Sequence, residues 1–428
     1  ASVLTDYIDH AIKNKYISID TETDGLDPLL NNLAGPCIYT HGQKGAYIPV
    51  NHISYITNER VDGQLAQADV IRQFQRLSEH GSVVDIDMFN AKFDIRVLRH
   101  AGWKDAYCTW DGYLGANLLN ENEEHKNLKQ LHNKYCLNGQ GDAFRFDDLF
   151  KGIPFTMIPF NTGYLYAAHD PVITTELCEY QRKWLNPNSD REDMRKLFWV
   201  MENIEMPCVQ VVCDMEDNGI LFDMNYQEEL SVKYNSLLEE QKQEFYKACD
   251  MYKAEIDKFR SSYTDITMQN EGTYAQFRKT GKRIMKENAS KLEDPINIAS
   301  PTQIAILLYD ILGLDSGDKK SPRGTGEEIL SKMDNPIAKA VLKYRELSKL
   351  VNTYIDKLPN CINPNDGRIH CSFNQYGAKT GRMSSSEPNL QNIPSHNKDI
   401  RKMFVATNET IEVTESDNSF IVDKWSEV

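Results

Sequence analysis

The feature that most limits what this chain can fold into is a change of hydrophobic period part-way along it. Up to about residue 185, strand-like and helix-like segments alternate. YISID (16–20) and GAYIPVNH (45–52) read as strands, and ADVIRQFQRLSEHG (68–81) as an amphipathic helix with a glycine stop. GSVVDIDMFN (81–90) returns to strand and KFDIRVLRHAG (92–102) to helix. That rhythm predicts an α/β domain. Beyond about residue 188 the pattern lengthens. MRKLFWVMENIEMPCVQVVCDMEDNGI (194–220) and NYQEELSVKYNSLLEEQKQEFYKACDMYKAEIDKF (225–259) repeat apolar residues at helical steps. PNSDRED (187–193) is the expected boundary, and after PNCINPNDG (359–367) strand and loop return. There is no internal repeat and no low-complexity tract.

A chain of 428 residues has length for two or three domains. Its net charge of −15 argues against nucleic acid as a partner, as far as net charge alone can. It leaves room for a carboxylate-rich metal site, because binding depends on where charge sits. The nine cysteines form no CxxC pair, which fits a reduced compartment better than a disulfide framework or zinc site. ASVLTDYIDHAIKNK lacks the apolar core and cleavage site of a signal peptide. The most apolar run, IAILLYDILGL (304–314), carries Asp310 and is too short to span a bilayer. The expectation is a cytoplasmic protein with no membrane partner.

The chemistry concentrates first in YISIDTETDGLDP (16–28). Residues two apart on a strand share a face, so Ser18, Asp20 and Glu22 should line one side, with Ile17 and Ile19 on the other. Two carboxylates crowded on one face repel unless a positive charge lies between them. A divalent ion with oxygen ligands, Mg²⁺ or Mn²⁺, supplies it. FNAKFDIRVL (89–98) adds Asp94 at a strand-to-helix junction, beside Asn90 and Lys92. YAAHDPVITTEL (166–177) places Tyr166 four residues before Asp170, on what reads as one helix face.

The ordered set D-x-E, N-x-x-x-D and Y-x-x-x-D resembles the 3′→5′ exonuclease domain of DEDD type, tyrosine subclass. The resemblance implies metal binding by Asp20, Glu22, Asp94 and Asp170, and orientation of the attacking water by Tyr166. Asn90 and Lys92 would steady substrate or ligands, or serve as a cap and a structural ion pair. His169 directly precedes Asp170, which does not fit the histidine subclass, and reads as a helix-surface or capping residue. The implied fold is an α/β, ribonuclease H-like domain, a mixed sheet with flanking helices. The implied cofactor is a pair of Mg²⁺ or Mn²⁺ ions.

The second half is similar to family A DNA polymerases, the DNA polymerase I type. ENIEMPCVQVVCDMEDNGILFD (202–223) resembles the opening of the polymerase region. INIASPTQIAILLYDILGL (296–314) and KYRELSKLVNTYIDKLP (343–359) resemble thumb segments, and KTGRMSSSEPNLQNIP (379–394) followed by IRKMFVA (400–406) is the most specific match. A Gly-Arg followed by serines, Asn-Leu-Gln-Asn and Pro is a loop rich in hydrogen-bonding groups. Arg382, Asn389, Gln391 and Asn392 can reach minor-groove acceptors, which differ little between base pairs. The basic run FRKTGKRIMK (277–286) reads as a phosphate contact or a solvated face.

The expected organisation is exonuclease domain 1–187, polymerase opening 188–227, mostly α-helical thumb 228–360 with an insertion near 245–292, and partial α+β palm 361–428. DNSFIV (417–422) puts Asp417 at the spacing of a palm metal ligand, with Val422 where a Glu belongs. DKWSEV (423–428), opening at Asp423, has its serine displaced. Fingers and a later H-D-E are expected from the family and are not found. The chain alone is therefore expected not to polymerise. It would be a fragment, one piece of a split polymerase whose fingers lie on a second polypeptide, or an interrupted product. The expected partners are single-stranded 3′ ends and primer–template DNA, in a bacterial or phage-infected cytoplasm. Two other readings stay open: a DNA-holding module with an idle nuclease, and an RNA-processing exonuclease.

Overall fold

The computed structural model describes residues 2–79, 84–125, 127–141, 150–269, 292–378, 380–395 and 397–406. The chain forms two compact units. The first comprises Ala1–Gly219 with His370–Gln391, the second Ile220–Ile369 with the residues from Asn392 onward.

The first unit is built on a five-stranded mixed sheet. Its strands are β1 (Tyr16–Thr23), β2 (Leu33–Tyr39), β3 (Ala46–Tyr47), β4 (Asp85–Met88) and β5 (Trp110–Asp111), in the order β3-β2-β1-β4-β5. β2 and β3 run antiparallel to their neighbours, whereas β1, β4 and β5 are mutually parallel. Pairing of Ile17 with Ile86 and of Ser18 with Asp87 sets the register. Every second residue of β1 thus joins one face. Ile17, Ile19, Ile86 and Met88 are fully buried in a core shared with helices Ser2–Asn14, Gln67–Glu79 and Ala91–Ala101. GAYIPVNH yields only a two-residue strand. Ile48 and Val50 still donate to Pro36 and Ala34 of β2, but the ladder there is irregular.

The expected polar face of β1 exists, yet it does not face solvent. Helix Asp170–Trp184 covers it. Tyr16 donates to Asp87 Oδ2 at 2.9 Å, with Thr175 Oγ1 2.8 Å from the same hydroxyl, while Arg182 grips the fully buried Asp87 with both guanidinium nitrogens, at 2.7 and 2.5 Å. An unpaired carboxylate at that depth would be costly, so the arginine ties this helix to β4.

The boundary expected at 187/188 does not separate compact units. Helices Glu192–Val200 and Met206–Asn218, joined through a π-type segment Met201–Glu205, belong to the first unit. The reason is a buried ion network. Glu216 accepts from Lys92 and from Arg96, both at 2.7 Å, Asp217 accepts from Arg96 at 2.6 Å, and Arg99 reaches Asp214 at 2.7 Å. The hairpin of β8 (Ser372–Asn374) with β9 (Ser384–Ser386) joins this unit too.

The second unit is mainly helical. A small sheet of β6 (Ile220–Phe222), β7 (Arg368–Ile369) and β10 (Phe404–Val405) opens it, after the glycine stop at Gly219. Helices Met224–Asp250 and Pro336–Leu350 form its long arms. Phe245, Cys249 and Ile256 pack in its core with Ile304, Leu308 and Val341. The first part of the expected 245–292 insertion is therefore core-forming. Residues 270–291, which include the basic run 277–286, lie outside the described residues.

Candidate metal centre

Four carboxylates from three elements meet at the C-terminal end of β1. Asp20 and Glu22 come from the strand itself. Asp94 comes from the first turn of helix Ala91–Ala101, on one layer, and Asp170 from the start of helix Asp170–Trp184, on the other. Asp94 and Asp170 are buried, while Asp20 and Glu22 are half-buried. A cleft opens in front of them, lined by Glu22, Leu26, Lys129, Phe155, Tyr166 and Asp170 among others.

Local structure aims the carboxylates. Thr21 donates its hydroxyl to Asp94 Oδ1 at 2.6 Å. The helix bearing Asp94 starts at Asn90, whose backbone is left-handed at φ 62° and ψ 50°. Asp111 secures that start, accepting the backbone N–H groups of Asn90 and Ala91, both at 2.9 Å, while it caps its own helix, Gly112–Leu119, by accepting from Tyr113 at 2.8 Å. Asn90 exposes its side chain and makes no side-chain cap.

Tyr166 and Asp170 do not share one helix, as their spacing had predicted. Helix Phe160–Ala167 ends at Ala168, and Asp170 opens the next helix. Pro171 is the physical reason. It has no N–H for an i−4 partner, and its ring crowds the carbonyl of residue 167. The break places Asp170 in a first helical turn, where the helix dipole favours a carboxylate. The intervening His169 is exposed.

The electrostatics of the cluster are those of an unneutralised acidic site. Burial, reinforced by Asp94, Asp170 and Glu22, pushes Asp20 well above the carboxylate range. Burial and the neighbouring Asp170 push Glu22 up to about 8, and burial pushes Asp94 up to about 7 despite the Thr21 hydroxyl. Asp170 is raised by burial and held back by Lys129. Oxygens of Asp20 and Glu22 and the buried thiol of Cys37 lie within 4.8 Å of one another, close enough to surround one ion. Cys37 is the cross-strand partner of Asp20. The donor set, mostly hard oxygen, fits Mg²⁺ or Mn²⁺. Asp94 and Asp170 lie near enough to raise the Asp20 carboxyl, so the four carboxylates together could hold such an ion.

Two participants are not evident from the motifs. One is Cys37, whose position follows only from the β1–β2 register. The other is Lys129, in helix Leu128–Cys136. Its ammonium lies 2.9 Å from Asp170 Oδ2 and 3.4 Å from the centroid of the Tyr166 ring. No spacing in the sequence links it to either.

The residues expected to meet DNA fall elsewhere. Lys92 does not point into the cleft. Its ammonium bonds Glu216 Oε1 at 2.7 Å, Ser372 Oγ at 3.0 Å and the Phe373 carbonyl at 2.6 Å, which is the structural ion pair of the two expected alternatives. Arg382, Asn389, Gln391 and Asn392 are exposed. Asn389 Oδ1 accepts from the Gln391 N–H at 3.1 Å, ordering that loop. Asp417 and Asp423 lie outside the described residues. Among the described residues, no helix is long and apolar enough to cross a membrane.

Comparison with known proteins gives similarity over both halves of the chain. Residues 1–186 match the 3′-5′ exonuclease family. Residues 267–421 match DNA polymerase family A. It is 30% identical to DNA polymerase I of Synechocystis sp. over 398 residues, covering 91% of this chain and 35% of that protein. It is 31% identical to DNA polymerase I of Pseudomonas aeruginosa over 404 residues, covering 91% and 38%. It is 29% identical to the DNA polymerase of Bacillus phage SP01 over 343 residues, covering 74% and 36%. The chain thus spans little more than a third of the length of these relatives. In fold it resembles the POL domain of Pol1 from M. smegmatis, solved in complex with DNA primer-template and dNTP, with a TM-score of 0.65 at 19% identity. That match covers 95% of this chain and 57% of the solved one.

Proposed function

We propose that the first unit removes nucleotides from the 3′ end of DNA by metal-dependent hydrolysis, as the proofreading part of a family A polymerase. The observation that carries this reading is the convergence of Asp20, Glu22, Asp94 and Asp170 at one strand end. Buried acids that raise one another's pKa need a compensating cation. The antiparallel β2 and parallel β4 on either side of β1 support a ribonuclease H-like arrangement.

When bound, a pair of divalent ions, Mg²⁺ or Mn²⁺, would lower the pKa of a water and stabilise the leaving 3′-oxygen. The residues do the rest. Asp20, Glu22, Asp94 and Asp170 hold the site. Tyr166, a poor base with a pKa normally near ~10, orients the attacking water through its hydroxyl. Leu26 and Phe155 give the cleft apolar walls against which a terminal base can pack. The helical second unit acts as the thumb, and the exposed Arg382, Asn389, Gln391 and Asn392 grip the primer–template minor groove.

The test is a 5′-labelled single-stranded DNA incubated with Mg²⁺. A ladder shortening from the 3′ end is expected, and Asp20→Ala should abolish it. Equal digestion by parent and variant would reject the assignment. Comparable rates on RNA would favour an RNA-processing role instead.

A further inference from the structure

We propose that Lys129 is a counter-ion built into the carboxylate cluster, one that competes with a divalent cation for Asp170 while positioning Tyr166. This rests on reading the cluster as a cation site, and it assigns a role to a residue outside the carboxylate–tyrosine set.

The geometry is specific. The ammonium sits 2.9 Å from Asp170 Oδ2 and 3.4 Å from the Tyr166 ring centroid, with the side chain only 15% exposed. It therefore touches one residue on each side of the helix break at Ala168–His169. A cation over a tyrosine face attracts more strongly when water is excluded. Its aim is not that of a loose surface lysine. Asn127 caps the helix, accepting the Gln130 N–H at 2.9 Å, and His132 bonds Glu176 Oε2 at 2.5 Å. Leu128 and Leu131 pack against Ile173 and Leu177 of the helix that begins with Asp170. The backbone that carries Lys129 is thereby fixed relative to Asp170.

The charge argument follows. Among the described residues, Lys129 is the cation bonded to the four-carboxylate cluster, and its field also reaches Asp20 and Glu22. A divalent ion entering the site must share Asp170 with an ammonium and meets its repulsion at close range. Removing that charge should tighten cation binding. Removing the contact should also free the Tyr166 ring and slow hydrolysis. A lysine that merely glued two helices together would change neither cation affinity nor Tyr166.

The experiment measures Mn²⁺ binding to the full chain by the electron paramagnetic resonance signal of free Mn²⁺, independent of activity. Lys129→Met should bind Mn²⁺ roughly tenfold tighter than the parent, and Lys129→Arg, which keeps the charge, should resemble the parent. On single-stranded DNA with saturating Mn²⁺, Lys129→Met should show a lower kcat. Unchanged or weaker Mn²⁺ binding by a Lys129→Met protein with a normal melting curve would overturn the proposal. If that variant does not fold, amine acylation of the parent decides. Lys129 should become more reactive, by mass spectrometry, when Mn²⁺ saturates the site, and equal reactivity would overturn the proposal. Failure of the underlying reading looks different, because Asp20→Ala would then bind Mn²⁺ as well as the parent.

Discussion

The Thr21 hydroxyl donates to Asp94 Oδ1 at 2.6 Å, joining the strand that carries two of the carboxylates to the helix that carries a third. Both residues are buried, so the bond is made out of water, and it favours the ionised form of Asp94. Thr21→Val keeps the shape and removes the donor. It should cost about 1–3 kcal/mol in stability, and it should weaken Mn²⁺ binding and lower nuclease activity. Isothermal titration and single-turnover hydrolysis would test this. A variant with parental metal affinity would show that Thr21 plays no part in presenting Asp94.

The raised carboxyls set a pH dependence opposite to that of an ordinary salt-bridged acid. Glu22 is pushed to about 8 and Asp94 to about 7, while unfolded carboxyls titrate near ~4. Between these limits the folded chain binds more protons than the unfolded one. Stability without divalent ions should therefore fall as pH rises from about 4 to about 8. Millimolar Mg²⁺ or Mn²⁺ should restore the melting temperature most at the alkaline end. Thermal melts in chelator and in metal, across that range, provide the check. In Glu22→Gln the slope should be shallower, and an unchanged slope would remove Glu22 from the account.

Asp111 is predicted to matter although it touches no substrate. It receives the backbone N–H groups of Asn90 and Ala91, at the turn that launches the Asp94 helix, and that of Tyr113, in the helix it caps itself. Asp111→Ala leaves those buried donors unpaired, for about 2–4 kcal/mol of destabilisation. Asp111→Asn retains one acceptor oxygen and should fall between. Urea denaturation gives the ordering. Activity of Asp111→Asn should drop by more than its folded fraction does, because Asp94 is displaced as well as the helix loosened.

Lys92 should affect stability rather than DNA handling. Its ammonium is committed to Glu216, a fully buried carboxylate that also accepts the Phe373 N–H at 2.5 Å. Lys92→Met should lower stability by about 3 kcal/mol, the order seen when one partner of a buried ion pair is lost. The KM for single-stranded DNA should stay at the parental value, measured well below the melting temperature. A raised KM with intact stability would reinstate Lys92 as a substrate contact.

The limits of the sequence reading follow from the range of each interaction. Asp20 with Glu22, Asn90 with Asp94, and Tyr166 with Asp170 are pairs within a few residues, and short spacing encodes their nearness. The strand, the amphipathic helices and the stop at Gly219 are local in the same sense. Lys129 meets Asp170 across 41 positions, and Lys92 meets Glu216 across 124, with no pattern at either end. Cys37 joins Asp20 only through the β1–β2 register. The helix break before Asp170 was encoded locally, by Pro171, but the i,i+4 spacing of Tyr166 and Asp170 masked it. The compact units differ from the expected boundaries because Glu216 and Asp217 are drawn to Lys92 and Arg96, a pairing visible only after folding.

Gly45 tests whether that helix break must stay where it is. A methyl group built on Gly45 would lie 2.0 Å from the Ala168 carbonyl oxygen and 2.9 Å from Val172 Cγ2. The first contact is with backbone and cannot be relieved by rotating a side chain. Gly45→Ala must therefore push the Ala168–His169 turn away from the sheet. Overpacking of this kind typically costs about 1–3 kcal/mol. Here it also shifts Tyr166 and Asp170, which flank the turn, relative to Asp20 and Glu22. Hydrolysis should fall at least tenfold in protein that remains folded, because a displacement on the order of 1 Å is enough to spoil an aligned attack. Mn²⁺ should also bind more weakly as Asp170 retreats. Parental activity in a folded Gly45→Ala protein would mean that the turn tolerates movement and that Tyr166 need not be held this closely.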